Sequence, residues 1–273
     1  FAGKVDIWTR LGNQSAAMPE AVSNIPSWTS SDQLLGQTYI YLRFRYDEDI
    51  WDNLRMNISA VIKGKNNILD PRTGLTGWTD NQALCTLDYL RWDRGMNIPD
   101  TLINFDSFAA AANVADQLVA AGAGKTEKRY TVNGTQAFDS PPLEVLASLE
   151  AAGAMSCVRT GKSWSAVAGI YDSGELELNS DDLIGGIEFS PRPDKSGIAN
   201  IAKGTYVDPA QNYEAVDFVH LVVDSYIQSD REELAQDIDF PWTDSGTRAR
   251  RLSKIYLEQT RYGLVVGCTM KFR

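Results

Sequence analysis

The stretch that decides the fold runs from Leu69 to Val119 and reads LDPRTGLTGWTDNQALCTLDYLRWDRGMNIPDTLINFDSFAAAANVADQLV. Its apolar residues recur at helical spacing in two segments, which predicts helices over Asn81–Arg91 and Ser107–Ala121. The second of these segments is rich in alanine, and small side chains let a helix lie close to a sheet or to another helix. We therefore expect this helix pair to organise a core.

Shorter patterns predict the remaining elements. Ser140–Pro142 starts a third helix, which Gly153 ends, and a last helix is predicted over Thr247–Gln259. Thr38–Tyr46 is the clearest strand, because apolar side chains alternate along it with tyrosine and arginine side chains. Further strands are predicted over Asp6–Leu11, Ile58–Lys63, Arg129–Asn133, Asn200–Val207, Val216–Val223 and Leu264–Phe272, with a hairpin over Met155–Arg159 and Trp164–Ile170.

Caps and inward faces follow from the same patterns. Thr79 or Asp80 is expected to cap the first helix, and Asp106 or Ser107 the second. A helical turn is expected at Asp181–Ile184 and a hinge at Ser190–Gly197. The helix residues expected to face the core are Ala83, Leu84, Leu87, Leu90, Phe108, Ala111, Ala112, Ala115, Leu118, Val119, Leu143, Leu146, Leu149, Ala249, Leu252, Ile255 and Tyr256.

Together these elements predict an α+β, β-rich, multidomain chain in which a few amphipathic helices pack on small sheets or barrels. A length of 273 residues allows two or three domains. We expect a β-rich, insertion-like domain over 1–70 and an α+β domain over 71–195. Residues 196–273 are expected to add strands and a C-terminal helix that form part of a barrel domain.

The composition fits a folded protein, since 43% of the residues are hydrophobic and 23% are charged. No apolar run approaches the ~18 residues of a membrane helix, so no membrane insertion by this chain is expected. The first residues lack the pattern of a signal peptide. Because the sequence begins with Phe1, we expect a fragment or a processed form.

The net charge of −10 is unevenly distributed. Residues 205–247 hold ten acids and a single base, Arg231, whereas residues 248–273 hold seven bases and a single acid, Glu258. The acidic total argues against a nucleic-acid-binding surface. The basic stretch is expected to form solvated faces or to dock on an acidic neighbour, and it pairs with the acidic stretch either within one chain or between copies.

We expect no catalytic, cofactor-binding or metal-binding residue in this sequence. Cys85, Cys157 and Cys268 are expected to be reduced thiols in the core, and their spacing does not suit zinc. His220 is the only histidine, and it is expected to be a satisfied residue of a strand. No nucleophile signature accompanies it.

Gly122–Thr126 superficially suggests a phosphate-binding loop. That motif needs a glycine where Val119 stands, and it must follow a strand and open a helix. Here the segment follows a predicted helix, so we expect it to be a polar loop.

Paired carboxylates are the remaining chemical candidates, because glycoside hydrolysis needs only two of them at a set separation. Asp181 and Asp182 also fit the first turn of a helix, where acids are favoured. A second group of acidic residues fits a solvated turn. It also fits a calcium loop, but it lacks the spacing of an EF-hand. That group consists of Asp47, Glu48, Asp49 and Asp52.

The Leu69–Val119 block resembles the central tail-tip, or host-specificity, protein of lambda-like long-tailed phages. In that family an Asp-Pro-Arg turn and a Trp precede a helix of the form N-x-A-L…D-Y-L. A Gly, an Ile-Pro-Asp turn and a helix of the form D-x-x-S-F-x-x-A-A-N-x-x-D follow. The matching residues are Asp70, Pro71, Arg72, Trp78, Asn81, Ala83, Leu84, Asp88, Tyr89, Leu90, Gly95, Ile98, Pro99, Asp100, Asp106, Ser107, Phe108, Ala111, Ala112, Asn113 and Asp116.

The resemblance extends over nearly the whole chain and is strongest from Asp70 to Tyr171. Further matches are found at Arg129–Thr135, Pro141–Leu146, Gly161–Tyr171, Leu178–Leu183, Asn200–Pro209 and Phe240–Leu252, and a weaker one at Leu11–Ala16.

The resemblance implies a tail hub, a structural virion protein at the tail tip that is made in the cytoplasm of the bacterial host. It implies a ring of three copies that joins the tail tube to the tip and contacts other tail-tip, distal-tail and tape-measure proteins. Phage DNA would pass through the ring without specific binding. Members are usually longer, and they reach the host receptor through downstream regions that are absent here. The second and third expected domains would then be hub domains.

Two alternatives stay open at this point. The first is a cell-wall glycosidase carried by a phage tail, which would lose its activity with one carboxylate. The second is a receptor- or carbohydrate-binding β-module. Trp28 and Trp51, beside polar loops, are candidate interface anchors.

Overall fold

A computed structural model describes residues 3–48, 58–137, 139–171, 179–190, 197–262 and 265–271. The chain divides into two compact units, Phe1–Ile62 and Lys63–Arg273. The fold class is α+β, as expected, and the described strands form seven small sheets, six of two strands and one of three. No closed barrel is found among these strands. The expected division of the chain into three domains stays a prediction.

The first unit contains a two-stranded antiparallel sheet and a short helix. Strand β1 spans Val5–Leu11, helix α1 spans Pro19–Asn24 and strand β2 spans Thr38–Phe44. The strands pair along their whole length. The helix segment buries Met18 and Ala21.

The strand predicted at Ile58–Lys63 is wrong, because these residues are irregular. Ile58, Val61 and Ile62 are 60–73% exposed. Their β propensity has no effect without a strand to pair with, and none of the described strands pairs with this segment.

Helices α2 (Gln82–Arg91) and α3 (Phe105–Asp116) pack together at the centre of the second unit. The predicted caps are wrong, because Asn81 caps α2 and Asn104 caps α3 through their side-chain oxygens. The core around this helix pair consists of Ile68, Ala83, Leu84, Leu87, Leu90, Ile103, Phe108, Ala111, Ala112, Leu146 and Met155.

The predicted extension of α3 to Ala121 is wrong. The helix ends at Asp116, and the chain enters a hairpin of β5 (Leu118–Ala120) and β6 (Thr126–Lys128). Cross-strand hydrogen bonds replace helical ones here, and Leu118 is 70% exposed instead of buried. The strand predicted at Arg129–Asn133 is also misplaced, because β6 ends before it.

The elements on either side of the helix pair are short. Strands β3 and β4 form one hairpin, β7 and β8 form the predicted hairpin, and α4 is the predicted third helix. On α4 the predicted core residue Leu143 is 68% exposed, and Val145 is buried in its stead. The bounds are Ile68–Asp70 for β3, Leu75–Gly77 for β4, Pro142–Ala151 for α4, Ser156–Thr160 for β7 and Ser163–Val167 for β8.

The remaining strands form three sheets with two helices among them. Strand β10 lies between β13 and β14, β11 pairs with β12, and β9 pairs with β15. The bounds are Glu188–Ser190 for β9, Ile201–Lys203 for β10, Thr205–Asp208 for β11, Glu214–Asp217 for β12, Leu221–Val222 for β13, Asp224–Asp230 for α5, Ala235–Asp237 for β14, Gly246–Tyr262 for α6 and Val265–Gly267 for β15. Single 3-10 turns occur at Asp100–Leu102, Ser180–Asp182 and Pro209–Gln211.

Several predictions for this region need correction. The strand predicted at Asn200–Val207 is interrupted at Gly204, whose φ is 144° and whose Cα lies against the backbone of Ile238. The strand predicted at Val216–Val223 is likewise split into β12 and β13. The closing strand is shorter than predicted. Of the predicted hinge, residues 191–196 lie outside the described residues, as do residues 264 and 272 of the closing strand.

The last helix is longer than predicted, and its buried face is rotated. Ala249 and Leu252 are buried as predicted, whereas Tyr256 is 39% exposed and Leu257 is fully buried. Ala249 and Leu252 pack in a second cluster with Ala115, Tyr130, Phe218 and Phe240.

We predict that Ala112→Leu lowers the free energy of unfolding by roughly 1–3 kcal/mol, because Ala112 is fully buried between close-packed elements. The measurement is urea unfolding followed by circular dichroism. Ala110→Leu is the matched control, since Ala110 is exposed on the same helix and should change little. Equal stability of the two variants would show that the alanine face is not close-packed.

Candidate functional site

The Asp-Pro-Arg turn is the first part of a polar network. Asp70 accepts hydrogen bonds from the backbone N–H of Arg72 at 2.9 Å and from its guanidinium at 2.7 Å. The same guanidinium reaches helix α3, where it donates to Asn113 at 3.1 Å and to Asp116 at 3.0 Å. The Arg72 hydrogen bonds lower the pKa of Asp70, and those of Asp70 raise the pKa of Arg72. The turn is thereby fastened to the end of α3.

Asp116 is the point at which three elements meet. Besides Arg72, its carboxylate contacts the ammonium of Lys128 in β6 at 3.3 Å and the side chain of Asn81 at the start of α2. Partial burial works to raise its pKa, but the hydrogen bonds of Asn81 and Arg72 and the charge of Lys128 outweigh burial, so the pKa is lowered. Lys128 also contacts Asp80 at 2.9 Å.

Asn81 connects this network to the core. It is completely buried, its amide nitrogen donates to the carbonyl of Ala112 at 3.0 Å, and its oxygen accepts from the backbone N–H of Leu84. One side chain therefore caps α2 and holds it against α3.

Glu127, the neighbour of Lys128, holds the first turns of α6. Its carboxylate accepts from the hydroxyls of Ser245 at 2.6 Å and Thr247 at 2.8 Å and from the guanidinium of Arg251 at 3.1 Å. Arg248 lies 3.6 Å away. Burial works to raise the pKa of Glu127, yet the hydroxyl hydrogen bonds and the arginine charges lower it.

Arg248 extends this contact. Its side chain is 5% exposed and contacts Asp244 at 2.7 Å, and Asp244 accepts from Asn133 at 2.8 Å.

Other residues that carry the resemblance are also structural ties. Asp88 on α2 contacts Lys65 at 2.7 Å, and Asp100 forms a two-point ion pair with Arg91 at 2.7 and 2.9 Å. Gly95 lies so close to the backbone of Tyr89 that a Cβ atom would collide with it.

A separate buried ion pair holds the end of α6. Arg261 contacts Asp230 at 2.7 Å, both side chains are 8% exposed, and Asp230 also accepts from Asn200. This pair and Arg248–Asp244 join the acidic and basic stretches within one chain, and pairing of these stretches between copies stays a prediction.

The residues that suggested a phosphate loop form the turn of the β5–β6 hairpin. Gly122, Ala123 and Gly124 have positive φ, and the backbone N–H of Lys125 donates to the carbonyl of Gly122 at 2.9 Å. The turn connects two strands and does not open a helix, so it lacks the structural context of that motif.

The other chemical candidates are dispersed. His220 is exposed and precedes β13, so its predicted place within a strand is wrong. Asp182 is 7% exposed and accepts from the backbone N–H of Asn179, whereas Asp181 is exposed. The Asp47 carboxylate contacts Lys4 at 2.5 Å. Asp49, Asp52 and Trp51 lie outside the described residues.

The three cysteines are free thiols, but only two are protected. Burial raises the pKa of Cys85 and of Cys157 to about 12. Cys268 is exposed, so its predicted place in the core is wrong.

Two open clefts occur in the second unit. One, of about 290 Å³, lies between the Ala147–Ala152 side of α4 and the turn Asp239–Thr243. The other, of about 440 Å³, lies at the start of α6 beside Tyr206 and Arg250. In the part of the chain that the structure describes, no three histidine, cysteine or acidic side chains are grouped as metal ligands.

Comparison with protein-family models and with curated protein sequences finds no match to this chain. Within the described residues, every helix is too short or too polar to cross a membrane.

We predict that Glu127→Gln lowers the free energy of unfolding by about 1.5–3 kcal/mol, because a partly buried carboxylate loses its charge-assisted hydrogen bonds to Thr247 and Arg251. Urea unfolding measures this loss. Glu258→Gln is the control, since the Glu258 side chain is 45% exposed and its ion pair with Lys254 is long at 3.8 Å. It should change stability by less than about 0.5 kcal/mol. Equal effects in the two variants would contradict a special role for Glu127.

We also predict that the protein loses stability in acid. The pKa values of Asp70, Asp100, Asp116 and Glu127 are lowered in the folded state, so the unfolded chain binds protons first as the pH falls. Their contribution is therefore complete above the ordinary carboxyl pKa of ~4 and disappears as the pH falls through the lower folded values.

Urea unfolding between pH 7 and pH 3 measures this loss of stability in acid. Asp116→Asn should show a smaller loss of stability over this range than the unaltered chain. A free energy of unfolding that stays constant down to pH 3 would contradict it.

Proposed function

We propose that this chain is a structural part of a phage tail hub, the protein that joins the tail tube to the host-attachment apparatus and surrounds the DNA passage. The observation that supports this proposal best is the structural role of the residues that carry the family resemblance. Asp70, Arg72, Asn81, Asn113 and Asp116 form one connected set of ion pairs and hydrogen bonds. Their side chains serve to fasten elements together, which is what a load-transmitting virion protein requires.

The distribution of charge is compatible with a DNA passage. Acids of the 205–247 stretch lie on the surface, and like charges would let DNA slide past without adhering. The exposed acids of this stretch are Glu214, Asp217, Asp224, Glu232, Glu233, Asp237 and Asp239.

The glycosidase alternative finds less support. Its best carboxylate pair consists of one exposed group, Asp181, and one buried group, Asp182, which is engaged in a turn. The binding-module alternative gains no aromatic platform from Trp28, whose ring lies 6.3 Å from that of Tyr39 and is partly buried.

We predict that three copies of the chain lie on the tail axis of the parent phage. A cryo-electron-microscopy map of the particle, with the chain located by an antibody raised against it, makes the measurement. The control is the same antibody after absorption with the purified chain. Any other copy number, or a position away from the axis, would overturn the hub proposal.

The same purified chain should release no sugar from peptidoglycan and should not adsorb to host cells. Release that is lost in Asp182→Asn would favour the glycosidase alternative, and adsorption would favour the binding module.

A further inference from the structure

Four side chains at the start of helix α6 point their hydrogen-bond donors at one place, which the carboxylate of Glu127 occupies. The anion site formed in this way consists of the hydroxyls of Ser245 and Thr247 and the guanidinium groups of Arg248 and Arg251. The carboxylate oxygens lie 2.6 and 2.8 Å from the two hydroxyls, 3.1 Å from Arg251 and 3.6 Å from Arg248. One carboxylate therefore receives four converging groups.

The anion site holds more donors than one carboxylate satisfies. The Nε atoms of Arg248 and Arg251 are buried, and neither has an acceptor within the described part of the chain. The Arg248 side chain is only 5% exposed, so water does not replace the missing acceptor. Buried donors without acceptors are costly, and here they lie beside the positive end of a 17-residue helix. These charges and donors favour an anion at this place.

Contacts other than those of the bound carboxylate hold the donors in place. Asp244 accepts from Arg248 at 2.7 Å, and the carbonyl of Arg129 accepts from Arg251 at 3.0 Å. The hydroxyl of Ser245 accepts from the backbone N–H of Arg248 at 3.3 Å. Because each donor group has such a second contact or lies beside one that does, the anion site keeps its arrangement when its carboxylate leaves.

The hairpin that carries Glu127 is attached without apolar burial. No residue of β5 or β6 is buried, and Leu118 is 70% exposed. Among the described strands these two pair only with each other. A segment with few buried contacts opens locally at a small cost in free energy. The open cleft of about 440 Å³, which Ser245 and Thr247 line, connects the anion site with solvent.

We propose that the start of α6 is a binding site for a carboxylate group from outside the chain, which replaces Glu127 when the β5–β6 hairpin opens. The external carboxylate belongs to a small organic acid or to an acidic side chain of another protein. A phosphate fits less well, because Asp217 is exposed in the same cleft and repels its higher charge. The hairpin acts as a latch, since its opening also withdraws Lys128 from Asp116. This site is independent of the proposed hub function.

Chemical rescue tests the site. Glu127→Ala leaves a gap the size of acetate, so sodium acetate should stabilise this variant against urea more than sodium chloride does at equal concentration. With acetate at about ten times its dissociation constant, the unfolding equilibrium constant should fall about elevenfold. Acetamide, the neutral analogue, should have no such effect. Arg251→Ala added to Glu127→Ala should abolish the rescue, and Glu258→Ala, which removes an exposed carboxylate of α6, should show none.

Hydrogen exchange of the unaltered chain tests the latch without any variant. Sodium acetate should speed exchange of the Thr126–Lys128 backbone amides relative to sodium chloride, while the amides of the β7–β8 hairpin stay unchanged. A polyglutamate peptide that acts at a lower carboxylate concentration than acetate would identify an acidic protein segment as the source, and equal action at equal carboxylate concentration a small acid. Absence of rescue by acetate, equal rescue by acetamide, or hairpin exchange that acetate leaves unchanged would overturn the proposal.

Discussion

Two consecutive side chains of one short strand hold the larger unit together. Successive residues of a strand point to opposite sides, so Glu127 and Lys128 reach in opposite directions from β6. Lys128 contacts Asp80 and Asp116 at the ends of α2 and α3, whereas Glu127 receives the hydroxyls and guanidinium groups of α6. Residues far apart in the sequence are joined across this strand. The apolar cluster formed by Ala115, Tyr130 and Leu252 lies between the same elements.

The energetics explain why such contacts are partly buried and shared. A single exposed ion pair contributes little, and a fully buried pair loses much of its attraction to desolvation. Asp116 and Glu127 lie between these limits, and each satisfies several donors at once. Several charge-assisted hydrogen bonds offset the desolvation of one carboxylate, and the geometry of the donors fixes how the helices are placed. Basic residues such as Arg248 and Arg261 are engaged in internal contacts of this kind.

The sequence correctly predicted the elements whose formation depends on local residue patterns. The α+β class, helices α2 and α4 and the β7–β8 hairpin all follow from apolar spacing and turn residues. Its errors occur where distant contacts decide. The spacing of α3 continues to Val119, but pairing with β6 ends the helix at Asp116. Gly204, with a positive φ and no room for a Cβ atom beside the backbone of Ile238, breaks an otherwise continuous strand pattern. The ties of Arg72 to Asp116 and of Glu127 to Arg251 were not predicted either. A partner 44 or 124 residues away leaves no local signal, although the charged residues at the ends of predicted helices were visible.

The pKa shifts and hydrogen bonds of the carboxylates help to distinguish a structural contact from a catalytic site. Groups that transfer protons are commonly held by burial or by like charges at a pKa near the working pH, and they keep an open coordination for substrate. Asp70, Asp116 and Glu127 show the opposite, since their pKa values are lowered and their oxygens already accept from protein donors. Such groups stay ionised to a lower pH than ordinary carboxylates, and they hold their partners in one arrangement. A protein that must transmit a rigid placement from one end of an assembly to the other benefits from that property, whereas an acid–base catalyst does not.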